Sequence, residues 1–228
     1  MERLNFLAID TSTNILKIAL SIEGKDSYID LKNDFKHIEN LLPCIDSCLK
    51  KINEPKTKLN YIGVCTGPGS FTGIRIGIAA ALGMSYAGKI KCFGFSVFDV
   101  YKYLLKEEKK SIIIPIIDAK KNRFYCSFIN NNKYSSMYDI GLDDIINKLK
   151  KYKHKKLIFT GKDFRLIKNN ISKGFDFVEK YIEDYASMDL LYFTKIVLND
   201  KLSLIKPKPI YLRKSEAEIA LLKEKNKK

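Results

Sequence analysis

The chain has 228 residues and a formal net charge of +15, from 41 basic and 26 acidic side chains. That length suits one large domain or two small lobes around real cores, and no apolar run approaches the ~18 residues that a membrane-spanning helix needs. Five cysteines without a C-x-x-C pair support neither a zinc ribbon nor a disulfide framework, and they fit a reducing cytoplasm.

The first residues enter a strand directly, without the basic start and apolar core of a signal peptide. Leu4 to Ala19 reads as a buried strand ending at Asp10, a turn carrying Thr11, Ser12 and Thr13, and a second strand over Ile15–Ile22. A short strand near Ser27–Leu31 follows. The recurrence of Ile38, Leu41, Leu42, Ile45, Leu49 and Ile52 predicts a helix over Phe35–Ile52, bent at Pro43. Tyr61–Cys65 reads as a buried strand. After it comes Thr66-Gly67-Pro68-Gly69-Ser70-Phe71-Thr72-Gly73-Ile74-Arg75, a glycine turn that opens a small-residue helix over Thr72–Ala87. Ser70 is the expected N-cap. Such a turn presents backbone N–H groups at a helix start. It lacks the Lys-Ser/Thr of a P-loop and is not G-x-G-x-x-G.

Ile90–Gly94 reads as a strand, and Ser96–Leu105 as a helix capped by Ser96. The charged run Lys106–Lys110 reads as a link. Ser111–Asp118 and Arg123–Ile129 then form a hairpin around Lys120-Lys121-Asn122. A short helix over Asp143–Lys151, a strand over Lys155–Gly161 and a helix over Ser187–Leu198, capped by Ser187, complete the regular elements. Pro207 and Pro209 frame an extended crossing, and Lys214–Lys228 is a charged tail. The same strand–hairpin–helix order occurs twice, which predicts a duplicated two-lobe α/β fold of mixed sheets flanked by helices.

The 66–75 run, the turn after Asp10, Phe35–Pro43, Ile116–Ala119 and Lys208–Arg213 together resemble the bacterial TsaB (YeaZ) family. The resemblance spans nearly the whole chain. It implies an actin/Hsp70/sugar-kinase-like (ribonuclease H-like) fold. Residues 1–105 would form the first lobe, completed by 187–213; residues 106–186 would form the second, and 214–228 the tail. It also implies an accessory subunit for threonylcarbamoyladenosine synthesis on tRNA, without catalytic residues or a cofactor of its own. The partners implied are the paralogue TsaD, a TsaE-type ATPase on the assembled pair, and a second copy of the chain when alone. A weak tRNA contact through Lys148–Lys156 is also expected. The lysine excess has a compositional reading beside the functional one, because only five of the 41 basic residues are Arg.

The nucleotide elements of the fold look degenerate. Ser12 stands where nucleotide-hydrolysing relatives keep a glycine, Asp118 is followed by Ala119-Lys120-Lys121, and the adenosine-side glycine pair is reduced to Thr160-Gly161. Asp10, Thr11, Ser12 and Asp118 therefore read as vestigial phosphate turns. The metal-binding His-x-x-x-His pair of the catalytic paralogue is broken, because Leu41 lies four residues after His37. An autonomous phosphotransferase or ATPase, or a metallopeptidase-like hydrolase, are the alternatives that these losses oppose. What remains is surface. Gly73, Gly77, Ala80, Ala81 and Met84 form a small-residue stripe on the second long helix that would let another helix approach closely, while Gly73 and Gly77 read as packing on its own sheet. Ile74, Ile78 and Leu82 then make it apolar on the far side as well. Leu42, Ile45, Ile78 and Leu82 are the expected partner contacts, with Leu42, Cys44 and Cys48 in excess of one core stripe.

Overall fold

The computed structural model describes residues 4–32, 36–172, 174–175, 177–179, 184–200 and 204–213. Residue 35 and the tail from 214 lie outside them. Continuous apolar runs produce strands covered on both faces. They begin with β1 (Phe6–Asp10), β2 (Ile15–Ile22) and β3 (Lys25–Lys32), followed by α1 (His37–Ile52), β4 (Tyr61–Cys65), α2 (Phe71–Gly88), β5 (Lys91–Phe95) and α3 (Val97–Leu104). The second half contains β6 (Ser111–Asp118), β7 (Arg123–Asn130), β8 (Lys133–Gly141), α4 (Leu142–Leu149), β9 (Lys156–Thr160), α5 (Lys168–Ile171), β10 (Phe177–Glu179) and α6 (Ser187–Asn199).

The two five-stranded sheets have matching topology. Their orders are β3-β2-β1-β4-β5 and β8-β7-β6-β9-β10. In each, the central strand pairs antiparallel with the strand that follows it and parallel with the next one after the helical crossover. The first sheet is a layer between two helix pairs. Leu7, Ile9, Ile18 and Leu20 face α1 and α2, whereas Phe6, Ala8, Ala19 and Phe95 face α3 and α6. In the second sheet, Ile112, Ile114, Ile116 and Phe159 pack against α4 and the 164–171 turns.

Local chemistry sets the helix starts. Ser96 and Asp99 form a reciprocal capping box on α3: Phe98 N donates to Ser96 Oγ at 2.9 Å, and Ser96 N donates to Asp99 Oδ2 at 2.8 Å. α6 departs from the sequence expectation. Its cap is Ala186, whose N–H donates to Asp189 Oδ2 at 2.8 Å. The Ser187 hydroxyl instead donates to Ile29 O at 2.7 Å and holds α6 to β3. β8 was not expected either. Its sequence is polar and half-exposed, and its hairpin turns on Asn131 and Asn132, both at positive φ (47° and 59°).

Candidate functional site

The central strand of each sheet ends in a carboxylate, and one cleft lies beside these strand ends. Asp10 ends β1 and Asp118 ends β6, the central strands of their sheets. The cleft has a volume of about 500 Å³, and its walls include Thr13, Ser70, Phe71, Asp118, Lys120 and Asp163.

Asp10 is fully buried and does not line this cleft. Its Oδ1 accepts from Ser12 N at 2.8 Å, and its Oδ2 accepts from the Tyr185 hydroxyl. The buried Lys17 ammonium lies 4.0 Å from Asp10 Oδ2, 3.4 Å from Asp184 and 4.9 Å from the centroid of the Tyr185 ring. Burial by itself would raise the Asp10 pKa. The Lys17 charge, with the Ser12 and Tyr185 hydrogen bonds, outweighs it and holds the carboxyl below its ordinary value. Burial, and then the Asp10 charge, push the Tyr185 phenol well above its ordinary value, so it remains a donor. Sequence reasoning found Asp10 but missed Lys17 and Tyr185. A signal for Lys17 was available: a single cation inside the apolar run Ile15–Ile22 requires a buried partner.

The glycine turn closes over this carboxylate. Ser70 N donates to Ser12 O at 2.7 Å, and Thr11 Oγ1 donates to Gly73 O at 2.7 Å. A Cβ on Gly69 would lie 2.3 Å from Ser12 O, one on Gly73 would lie 2.1 Å from Thr11 O, and one on Gly77 would lie 2.3 Å from Thr11 Oγ1. These glycines allow α2 to approach the Thr11–Ser12 backbone, so they serve internal packing and do not cradle a phosphate. Gly67 has φ +102° and precedes Pro68 through a cis bond. Ser70 caps α2 as its sequence position predicts, its Oγ accepting from Gly73 N at 3.2 Å. Thr72 is exposed.

The second turn repeats the first. Lys120 N donates to Asp118 Oδ1 at 2.7 Å, and Lys120 Nζ lies 2.7 Å from Oδ2. Partial burial would raise the Asp118 pKa, but Lys120 lowers it on balance. Asp118 N donates to Asp163 Oδ2 at 2.8 Å. Gly161, at φ +92°, would place a Cβ 2.4 Å from Ile116 O. The actin-like fold implies a nucleotide with its metal in such a cleft, and these residues do not fit one. Both carboxylates already hold lysines, and the backbone of the first turn is covered by Gly69 and Ser70. His37 is buried with Nε2 2.8 Å from Thr13 O, and Leu41 is in the core. Among the described residues, no group of three His, Cys, Asp or Glu side chains could hold a metal.

A C-terminal segment ties the two sheets together beside the cleft. Gly94 N donates to Ile205 O at 2.7 Å and Ile210 N donates to Thr66 O at 2.8 Å. Tyr211 packs on Phe71 with ring centroids 4.9 Å apart, and its hydroxyl accepts from Arg75 Nε at 2.7 Å. The Arg75 guanidinium lies 3.8 Å from the Phe71 ring centroid. Two residues on, Arg213 reaches the second sheet. It donates to both oxygens of Asp139, at 2.7 and 3.0 Å, and to Ala119 O at 3.2 Å. Arg123 Nε adds a third bond to the Asp139 carboxylate at 2.8 Å, and its Nη2 donates to the Asp139 carbonyl. Asp139 was missed in the sequence because it lies on the unexpected strand β8.

The four expected contact residues split. Leu42 is 60% exposed and Leu82 is 43% exposed, but Ile45 and Ile78 are buried in the core between α1, α2 and the sheet. Cys44 and Cys48 are core residues too. The correction follows from the glycines. Because Gly73 and Gly77 bring α2 so close to Thr11, the adjacent Ile74 and Ile78 also turn inward. The outer face of the two helices is instead marked by Ile38 (74% exposed), Leu42, Leu82 and Tyr86 (91% exposed), with Gly83 open beside them.

A family model described as TsaD, tRNA N6-adenosine threonylcarbamoyltransferase, matches residues 33–221. A Buchnera aphidicola (subsp. Schizaphis graminum) protein called tRNA threonylcarbamoyladenosine biosynthesis protein TsaB is 34% identical over 182 residues, 75% of this chain and 84% of that protein. The chain belongs to this family, in its TsaB branch. The Haemophilus influenzae TsaB is 28% identical over 137 residues, which take in 60% of this chain and only 58% of that protein. The fold matches a Pseudomonas aeruginosa structure described as similar to peptidase YEAZ, with a TM-score of 0.70 at 19% identity, covering 92% of this chain and all of that one. A Bacteroides thetaiotaomicron protein with an actin-like ATPase fold matches with a TM-score of 0.51 at 12% identity.

Proposed function

We propose that the chain is a non-catalytic subunit in the synthesis of threonylcarbamoyladenosine on tRNA, and that it works by docking α1 and α2 on the catalytic paralogue TsaD. The names of the TsaB relatives support the pathway. The observation that carries the docking role is the uncovered apolar face of Ile38, Leu42, Leu82 and Tyr86, in a chain whose two strand-end carboxylates are already paired. Large apolar side chains grouped on two neighbouring helices mark an interaction surface. A chain whose own cleft cannot take a nucleotide acts through that surface. In this reading a TsaE-type ATPase binds the assembled pair, a second copy covers the face when the paralogue is absent, and the assembly works in the cytoplasm on tRNA. No helix among the described residues is long and apolar enough to cross a membrane.

The test is co-purification with a TsaD homologue and a threonylcarbamoyl-transfer assay, comparing wild type with Leu82→Lys and Leu42→Glu. Both residues are exposed, so a charge there costs the isolated chain about 0.5 kcal/mol or less. In a desolvated helix contact the same unpaired charge costs several kcal/mol. Both variants should melt like wild type and fail to associate or to support transfer. Full activation by well-folded variants would move the contact elsewhere.

A further inference from the structure

The topology of the second sheet collects lysines at one end. β6 and β9 run parallel, with Ser111 beside Lys156, so the segments that enter them emerge side by side. The segment before β6 carries Lys109 and Lys110. The segment running into β9 carries Lys150, Lys151, Lys153 and Lys155, and β9 itself begins at Lys156. β7 runs antiparallel to β6 with Asn130 opposite Ile112, which brings the Asn131–Asn132 turn and Lys133 to the same end. Thus eight lysines from three separate stretches meet there, against only Glu107 and Glu108. Glu108 is already engaged by Lys156 at 3.4 Å. The acids at the start of α4, Asp143 and Asp144, follow Gly141 at the opposite end, near the cleft.

We infer that this lysine-lined end of the second sheet, remote from both the cleft and the α1/α2 face, binds the phosphate backbone of RNA. The inference rests on the proposed role in tRNA modification for its choice of RNA, and on the structure for its location. Lys151, Lys153 and Lys155 are exposed and form no ion pair among the described residues, so their charge is available to an external polyanion. The neighbouring aromatics are spent. Tyr152 stacks on Phe128 at 5.7 Å, and Tyr138 lies under Lys148 Nζ at 4.2 Å. With no free ring to stack a base and no Arg fork to read one, this end can neutralise phosphates but cannot read sequence. Binding should therefore be weak, sequence-tolerant and steeply dependent on salt.

The experiment measures binding of the full chain to an unmodified tRNA transcript across a salt series. It includes the charge-reversed triple variant Lys151→Glu/Lys153→Glu/Lys155→Glu and a control triple on the first half, Lys51→Glu/Lys56→Glu/Lys89→Glu. Wild type should bind in the micromolar range with a log–log salt slope of about −2 to −4, as for three or four phosphates neutralised. The sheet-end triple should lose tenfold or more and flatten the slope, while the control stays within threefold. If the reversed triple does not fold, the Gln triple at the same positions should give a smaller loss of the same kind. Unchanged RNA affinity in the sheet-end triple would overturn the inference. So would an equal loss in the control. Failure of the functional reading looks different: wild type itself would not support threonylcarbamoyl transfer beside its paralogue, whatever its RNA affinity.

Discussion

Lys17 is the side chain whose removal tests the reading of the first turn most directly. Lys17→Met keeps the length of the side chain and deletes only the cation. Asp10 then keeps Ser12 N and the Tyr185 hydroxyl but loses the charge that offsets its burial. Breaking a buried ion pair from one side costs about 3–5 kcal/mol, which for a chain of this size lowers the melting temperature by roughly 6–20 °C. The pH dependence fixes the cause. In wild type the depressed Asp10 pKa contributes stability that is present above the unfolded-state value of about 3.9 and is lost as pH falls through the folded value. In the variant the burial effect is unopposed by Lys17, and the folded pKa of Asp10 moves up. The carboxyl can then take up a proton without unfolding, so the deficit against wild type shrinks as pH falls from 7.5 toward 5. Asp10→Asn in the Lys17→Met background removes the unpaired charge and should recover roughly half of the loss at pH 7.5. Thermal melts of the three proteins at two pH values make the measurement. A deficit equal at both pH values and unrelieved by Asp10→Asn would refute the pairing, as would a Lys17→Met protein that melts like wild type.

Other perturbations separate the remaining claims. Gly73→Ala puts a Cβ 2.1 Å from Thr11 O and should cost about 3 kcal/mol or more in denaturant unfolding, because backbone must move. Gly83→Ala meets nothing within 4 Å and should stabilise the isolated chain by about 0.8–1 kcal/mol through helix propensity. Arg213→Met removes two of the three arginine bonds to the Asp139 carboxylate and should cost about 1–3 kcal/mol. Burial would raise the Asp139 pKa, but Arg213 and Arg123 hold it below its ordinary value, so that loss should fade in acid as the carboxyl protonates. Calorimetry with magnesium and ATP should show no site as tight as about 10 μM, which would correspond to roughly −7 kcal/mol.

Much of the fold was legible because both sheets have buried central strands. Ile15–Ile22, Tyr61–Cys65 and Ser111–Asp118 are runs that only a strand between two layers explains, and the structure returns them with the same limits. What escaped was polar or short. Lys133–Gly141 alternates weakly because both its faces are half-exposed, although its Asn-Asn turn was a hairpin signal. The site was half legible. A carboxylate at a strand end before three hydroxyls marks a turn with a task, but Tyr185, which closes on Asp10, and Asp184, which meets Lys17, are not local. Asp184 and Tyr185 lie 167 and 175 residues from the groups they meet. The helix face was misjudged for a related reason. Periodicity gives the faces of α2 but not its depth, and depth is set by Gly73 and Gly77 against Thr11.

The two turns also show how a duplicated cleft can turn inward by different degrees. Asp10 and Asp118 occupy equivalent strand ends, and each accepts from the backbone N–H two residues on, at 2.8 and 2.7 Å. Each has acquired a lysine of the same chain. Around Asp10 the lysine is 1% exposed and the glycine turn seals the group from above. Around Asp118 the lysine is 81% exposed, and such a pair contributes about 1 kcal/mol or less. The first turn is therefore a structural keystone whose loss weakens the whole chain, whereas the second is a surface turn whose loss should barely register. A phosphate-binding site requires the opposite in both: open carboxylates and backbone that a ligand can reach. With the buried turn sealed and the carboxylate of the open one already holding Lys120, neither turn offers that; in the function proposed above, recognition would instead fall to the outer helix face and the lysine-lined end.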